Sequence, residues 1–247
     1  MTVVMSLTLI QKVEIKEVFV TKRSIILLSG GLDSAVNLAY CSKKDLPVLA
    51  LTIDYGQRAV KNEIHAAKKF AQYFNVEHQV VDLRWLGNIS QSALNNTHLN
   101  IPQFTEDSLD HKVTTQNSAK QVWVSNRNGL FVQVAAAFAE SYNAEQVVVG
   151  FNLEEAQTFP DNSTQFIEAV NHALSFSTLN GVKLNCYTDR LIKKEMVEQL
   201  LKLHPSFPFQ WVWSCYQAGD KHCNLCESCL RFNRALKVKD SLEVGLC

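Results

Sequence analysis

Seven residues, Leu28-Ser29-Gly30-Gly31-Leu32-Asp33-Ser34, carry the clearest chemical signal in this 247-residue chain. They follow a strand-like apolar run, Ser24 to Leu28, and open a helix-like one. Paired glycines let a backbone turn tightly and approach an anion closely. The amides of such a turn, backed by the partial positive charge of a helix N-terminus, form a receptor for a nucleotide's phosphates. The Gly-Lys-Ser ending of a Walker loop is absent, so this is a phosphate loop of another kind. A second signal lies near the other end, where Cys215, Cys223, Cys226 and Cys229 fall within 15 residues. Four soft ligands in one cluster suit tetrahedral zinc with no open position, which makes the site structural. Iron–sulfur ligation is the alternative. Arg231 and Arg234 follow on a predicted helix that the metal would pin to the body.

The elements that position these groups alternate between strand and helix. Ile25–Leu28, Pro47–Asp54, His78–Leu83, Gln146–Gly150 and Lys183–Tyr187 read as strands. Asp33–Ser42, Arg58–Phe74, Asn126–Tyr142, Thr164–Ser177 and Lys193–Leu203 read as helices. That alternation predicts an α/β fold with a parallel sheet and helices on both faces. Ligands bind beyond the carboxyl ends of such strands, where Ser29, Asp54 and Gly150 are expected to converge. Val13–Val20 reads as an added edge strand within an N-terminal extension, 1–23. The nucleotide-binding domain is expected over 24–204, with a metal-binding segment over 205–247 packed on it. Residues 87–121 are polar and too long for an ordinary connection, so a lid or a disordered loop is expected there.

Bulk properties narrow the function classes. Lys plus Arg equals Asp plus Glu at 24 each, which argues against a nucleic-acid coat or a polybasic membrane binder. No apolar run approaches the length of a membrane span. The apolar start lacks the basic region and cleavage site of a secretory signal, so a cytoplasmic location is expected. Seven cysteines with four clustered fit a reducing compartment. Cys41 and Cys186 lie in apolar surroundings and read as inert core thiols, and Cys247 is terminal.

The loop Ser29–Ser34 matches the Ser-Gly-Gly-x-Asp-Ser signature of the PP-loop ATP pyrophosphatases. Three further features make the resemblance specific to the 7-cyano-7-deazaguanine synthases: Asp54-Tyr55-Gly56-Gln57-Arg58, Arg127-Asn128 opening an Ala-rich helix, and Trp213-Ser214-Cys215-Tyr216 before the remaining cysteines. Gly150-x-Asn152, Phe159-Pro160-Asp161, Phe166-Ile167-Glu168-Ala169 and Lys193-x-Glu195 align as well. The resemblance spans about 24–236. Departures concentrate at 155–163, where Glu155 replaces the usual Asp and Gln157 to Ser163 replaces Ser-Gly-Tyr-Pro-Asp-Cys-Arg. Val124-Ser125-Asn126-Arg127-Asn128 stands where the family commonly has Val-Pro-x-Arg-Asn.

The resemblance implies ATP cleavage between the α- and β-phosphates and adenylation of a 7-carboxy-7-deazaguanine. Ammonia then gives the amide, and a second adenylation gives the nitrile. The substrates are small molecules, with no membrane and no direct nucleic acid, and the family is commonly homodimeric. Leu28, Ser29, Gly30, Gly31, Leu32, Asp33, Ser34, Asp54 and Gly150 become the ATP-binding candidates. Asp33, Ser34, Arg127 and Lys193 become the catalytic candidates, with Mg²⁺ expected across the phosphates. Plainer roles compete: helix capping for Asp33, a turn for Asp54, a solvated helix charge for Lys193. Tyr55, Gln57, Asn152, Glu155, Phe159 and Asp161 are the substrate-binding candidates. Glu155 and Asp161 would read a guanine-like edge, and Phe151 or Phe159 would stack on the base. The rivals are a paralogue joining the same acid to another amine, a tRNA-modifying PP-loop enzyme, and a non-catalytic interaction module.

Overall fold

Five strands, the central ones apolar and buried and the edge strand 77–82 largely polar and exposed, form the sheet of the computed structural model, which describes residues 21–244. In chain order, β1 (Arg23–Leu27) leads into α1 (Leu32–Lys44), and β2 (Leu46–Asp54) into α2 (Val60–Tyr73). After β3 (Glu77–Asp82) come α3 (Arg84–Ile89), a 3₁₀ turn at Glu106–Asp110, α4 (Lys112–Val122) and α5 (Arg127–Ser141). Then follow β4 (Gln146–Val148), α6 (Leu153–Ala156), α7 (Thr164–Ser177), β5 (Lys183–Asn185), α8 (Lys193–Leu203) and α9 (Glu227–Val244). The sheet order is β3-β2-β1-β4-β5 and every pairing is parallel. The expected edge strand at Val13–Val20 and the terminal Cys247 lie outside the described residues.

Parallel strands need both faces covered, and the alternation of side chains along a strand divides the core in two. Ile26, Ala50 and Val148 pack under α1, α2, α8 and α9. Ile25, Leu49, Leu51, Val147 and Val149 pack under α5 and α7. The consecutive residues Ile25 and Ile26, both wholly buried, thus serve opposite layers. The reversal of strand order falls between β1 and β4, so Ser29 and Gly150 face each other across the crevice where ligands bind in such sheets.

Residues 87–121 carry secondary structure of their own, so the disordered loop, one of the two expectations, is not what stands there. Part of α3, the 3₁₀ turn and α4 occupy them. Their apolar residues Ala93, Leu94 and Ile101 join Val122, Val124 and the buried cysteines in a third core cluster at the strands' carboxyl end. Phe104 N donates to Leu225 O at 2.8 Å, tying this insertion to the cysteine segment.

Candidate functional site

The glycine loop has the geometry its sequence suggests. Gly30 sits at φ +78°, a region open to glycine. A β-carbon there would lie 2.6 Å from Ala66 Cβ and 2.8 Å from the Ala67 nitrogen, so the bare glycine also lets the loop press on α2. No side chain caps the N-terminus of α1. The loop instead braces itself: Ser34 Oγ receives the Ser29 amide at 3.2 Å and donates to Gly31 O at 3.1 Å. This leaves the first-turn amides of α1 facing an open cavity, an arrangement suited to phosphate. Gly150 presses on the same turn, since a β-carbon there would lie 2.5 Å from the Ser34 nitrogen. From the cysteine segment, Trp213 N donates to Gly30 O at 3.0 Å.

Beside the loop sits a buried charge cluster. Lys193 opens α8 and its side chain is only 5% exposed. Its Nζ lies 2.5 Å from Asp33 Oδ2 and 2.8 Å from Glu155 Oε1. Burial opposes the ammonium, but the two carboxylates overcome it and hold Lys193 above the usual lysine range. With one cation for two acids, burial pushes Asp33 up to about 6, against the pull of Lys193. Glu155 stays below its ordinary range because Lys193 outweighs its burial. Asp33 Oδ1 is buried with no partner. Glu154 Oε1 accepts the Lys193 amide at 3.2 Å, and Glu154 Oε2 takes Arg231 Nη1 at 3.0 Å. Arg231, on α9 as expected, also donates to Leu109 O of the insertion.

The far end of the cavity is built from β2, α2, α5 and the cysteine segment. Arg127 Nη1 donates to Tyr55 Oη at 3.3 Å, with the guanidinium carbon 5.7 Å from the Tyr55 ring centre. Tyr216, Phe131 and Asn128 also line the cavity, and Glu63 lines it from α2 next to the loop, its carbonyl oxygen 2.9 Å from where a Gly30 β-carbon would lie. Asp161 lies near Arg127, which opposes the upward push of burial on its carboxyl.

The cavity brings together Leu28, Ser29, Gly31, Asp33, Ser34, Tyr55, Gln57, Arg127, Gly150 and Glu155 from the sequence candidates. Others stand elsewhere. Leu32 is core. Asp54 closes its own turn, accepting from Gly56 N at 3.0 Å, and does not line the cavity. Asn152 is wholly buried and caps α6 through Glu155 N, while its Nδ2 has no partner. The Phe159 ring stacks on Trp123 at 6.2 Å rather than facing the cavity, whereas Phe151 lines it. Glu155 lines the cavity and is ion-paired to Lys193. Gln57 spends its amide on Ile53 O, Tyr55 N and Glu63.

Sequence reasoning missed Glu63, though a signal existed. It shares a helical face with Ala66, Ala67 and Phe70, the buried face of α2, where an acid is out of place.

The sulfur atoms of Cys215, Cys223, Cys226 and Cys229 lie within 4.8 Å of one another. The Gln217 and Cys223 amides donate to Cys215 Sγ, and the Leu225 and Cys226 amides to Cys223 Sγ, all at 3.3–3.4 Å. Four converging sulfurs receiving backbone donors can hold a metal ion.

A parallel sheet crossed at its switch point by a Ser-Gly-Gly-x-Asp-Ser turn, with no Walker lysine, defines the PP-loop class of nucleotide-binding enzymes. Within that class, the family model for "Queuosine biosynthesis protein QueC" matches residues 23–240. The chain belongs to this family and is an enzyme of queuosine biosynthesis. It is 48% identical over 216 residues to a 7-cyano-7-deazaguanine synthase of Pelotomaculum thermopropionicum, covering 87% of this chain and 97% of the relative. It is 47% identical over 222 residues to a synthase of the same name from Desulforudis audaxviator, covering 90% and 100%. Among solved structures it is similar to an NMN synthetase from Francisella tularensis, at a TM-score of 0.41 and 16% identity, covering 90% of this chain and 85% of that one. That superposition is too loose to inform the site.

Proposed function

We propose that the chain converts 7-carboxy-7-deazaguanine and ammonia to 7-cyano-7-deazaguanine, cleaving two ATP to AMP and pyrophosphate. The observation that carries this is the uncapped N-terminus of α1 beside the Asp33–Lys193–Glu155 cluster. The substrate carboxylate attacks the α-phosphorus of ATP, and pyrophosphate leaves into the loop amides. Ammonia attacks the acyl carbon, loses a proton and displaces AMP, giving the amide. The amide oxygen then attacks a second ATP. The nitrogen gives up its two protons as AMP departs, leaving the nitrile.

Each step places negative charge on a departing phosphate, and fixed amides and cations stabilise such charge. Lys193, pinned from two sides, supplies one cation, and Arg127, which lines the same cavity, is the candidate for a second. The orphaned Asp33 Oδ1 fits a Mg²⁺ ligand, and the ion when bound would neutralise phosphate charge. We read the four cysteines as a structural zinc site that holds the Trp213 segment against the loop. Stoichiometric zinc in purified protein supports that part, and iron with a visible absorption band overturns it. We propose a homodimer on the family resemblance, and a cytoplasmic location on the sequence's lack of a secretory signal. Among the described residues no helix is long and apolar enough to cross a membrane.

Product analysis tests the whole. ATP, Mg²⁺, ammonium and the deazaguanine acid should yield AMP and the nitrile, seen by mass. An end point at the amide favours a paralogue with another amine, a reading that Gln157–Ser163 keeps alive. ADP as product contradicts the chemistry.

A further inference from the structure

Glu63 is a carboxylate set into the cavity wall without a counter-ion. It lies in the first turn of α2, half-buried and facing the cavity. Gln57 Nε2 donates to its Oε2 at 2.8 Å. Gln57 is itself fixed, since Nε2 also reaches Ile53 O at 3.0 Å and Oε1 accepts Tyr55 N at 2.9 Å. The turn 53–57 therefore holds one carboxylate oxygen in place. The other oxygen has no hydrogen-bond partner, and Glu63 forms no ion pair among the described residues. Burial pushes its carboxyl above the usual range, with Gln57 and Arg127 opposing. Arg127 forms no ion pair with Glu63 and donates to Tyr55 Oη at 3.3 Å.

A half-buried carboxylate with one oxygen open to the cavity gains a charge-assisted hydrogen bond when a ligand brings donors to it. A carboxylate accepts only. An adenine edge sets an amino donor beside a ring nitrogen lone pair, which a carboxylate repels. A guanine-like edge sets a ring N–H beside an exocyclic amine, two donors side by side. The neighbouring walls, Tyr55, Leu94 and Phe131, are flat or apolar and suit a planar heterocycle. We infer that Glu63 is the specificity-determining residue that takes the ring N–H and 2-amino donors of the deazaguanine substrate. This deepens the proposed function and rests on its choice of substrate.

The test uses the full-length protein, wild type and Glu63→Gln. KM is measured for ATP, for 7-carboxy-7-deazaguanine and for its analogue lacking the 2-amino group, with direct calorimetric binding of each acid. Glutamine keeps the shape but loses the charge. The variant should bind the acid about 10- to 100-fold more weakly, the range for one lost charge-assisted hydrogen bond. Its ATP KM should stay within about 2-fold, since the loop and Lys193 are untouched. Wild type should prefer the 2-amino acid over its analogue, and the variant should lose that preference. Glu63→Asp keeps the charge but withdraws it, so partial preference should survive; it serves also if the glutamine variant fails to fold. An unchanged acid affinity overturns the inference. So does a rise in ATP KM alone, which would put adenine at Glu63. Wild type that ignores both acids overturns the substrate assignment itself, a failure visible before any variant is compared.

Discussion

The two ends of the cavity treat charge in opposite ways. At the phosphate end Lys193, Asp33 and Glu155 are buried against one another at 2.5 and 2.8 Å, and Glu154 with Arg231 locks the Lys193 backbone behind them. At the other, where α2 meets the turn 53–57, Glu63 keeps one oxygen free, held only by Gln57. A cluster pinned through Lys193 is held in place before ligand arrives, with Asp33 Oδ1 alone left without a partner, which suits a site that must stabilise the same departing phosphate twice. A charge left unsatisfied withholds its favourable interaction until one particular ligand supplies donors, which suits discrimination. On this account the chain divides its polar groups between a preorganised chemical end and a selective recognition end.

Removing Lys193 should break the contrast most strongly. Lys193→Met leaves two buried carboxylates facing each other without a cation. Breaking a buried pair in this way costs about 3–5 kcal/mol, and losing one transition-state cation costs roughly a further 10²–10³ in kcat. A variant that keeps both its melting temperature and its turnover would show the cluster to be ornamental. The glycines come next. Gly30→Ala meets both the +78° φ and contacts under 3 Å, so about 2–4 kcal/mol of stability should be lost. Gly31 has φ −72°, and its nearest neighbour would sit 3.4 Å from a new β-carbon. Gly31→Ala should therefore fold normally, and any loss should appear in ATP turnover. Thermal melts beside kinetics separate the two.

A smaller effect should appear in the pH profile. Asp33, held up to about 6, must lose its proton to serve phosphate or metal, so kcat/KM for ATP should rise through about pH 6. Glu155 is one cause of that upward shift, so Glu155→Gln should move the acid limb to lower pH. A limb that stays in place would assign it to another group. The smallest effect distinguishes the ends most cleanly. Glu63→Gln removes an unpaired charge, so its melting temperature should hold or rise slightly, whereas Lys193→Met should fall sharply. Equal losses in both would erase the distinction.

Much of this was legible in the sequence. The strand positions followed from buried β-branched runs, and the loop and the cysteine cluster from spacing alone. The helix α4 was hidden because its buried residues are Thr115, Ser118, Ala119 and Val122, small and mostly polar, which leaves little hydrophobic period to read. The Glu154–Arg231 link joins residues 77 apart, and no local pattern reports such a contact. Asp54 ends its strand as read, and its carboxylate accepts from Gly56 N in the turn that follows, the plainer role the sequence also offered. Gln57 lines the cavity, and its amide donates to Glu63, a contact no local pattern reports.

The central claim is that the loop end of this cavity makes an adenylate of a deazaguanine acid. Isotope exchange between pyrophosphate and ATP reads that step directly, before ammonia enters. The account predicts exchange that depends on Mg²⁺ and on added 7-carboxy-7-deazaguanine, and that disappears in Lys193→Met. Exchange that proceeds equally without the acid, or no exchange in its presence, would contradict it.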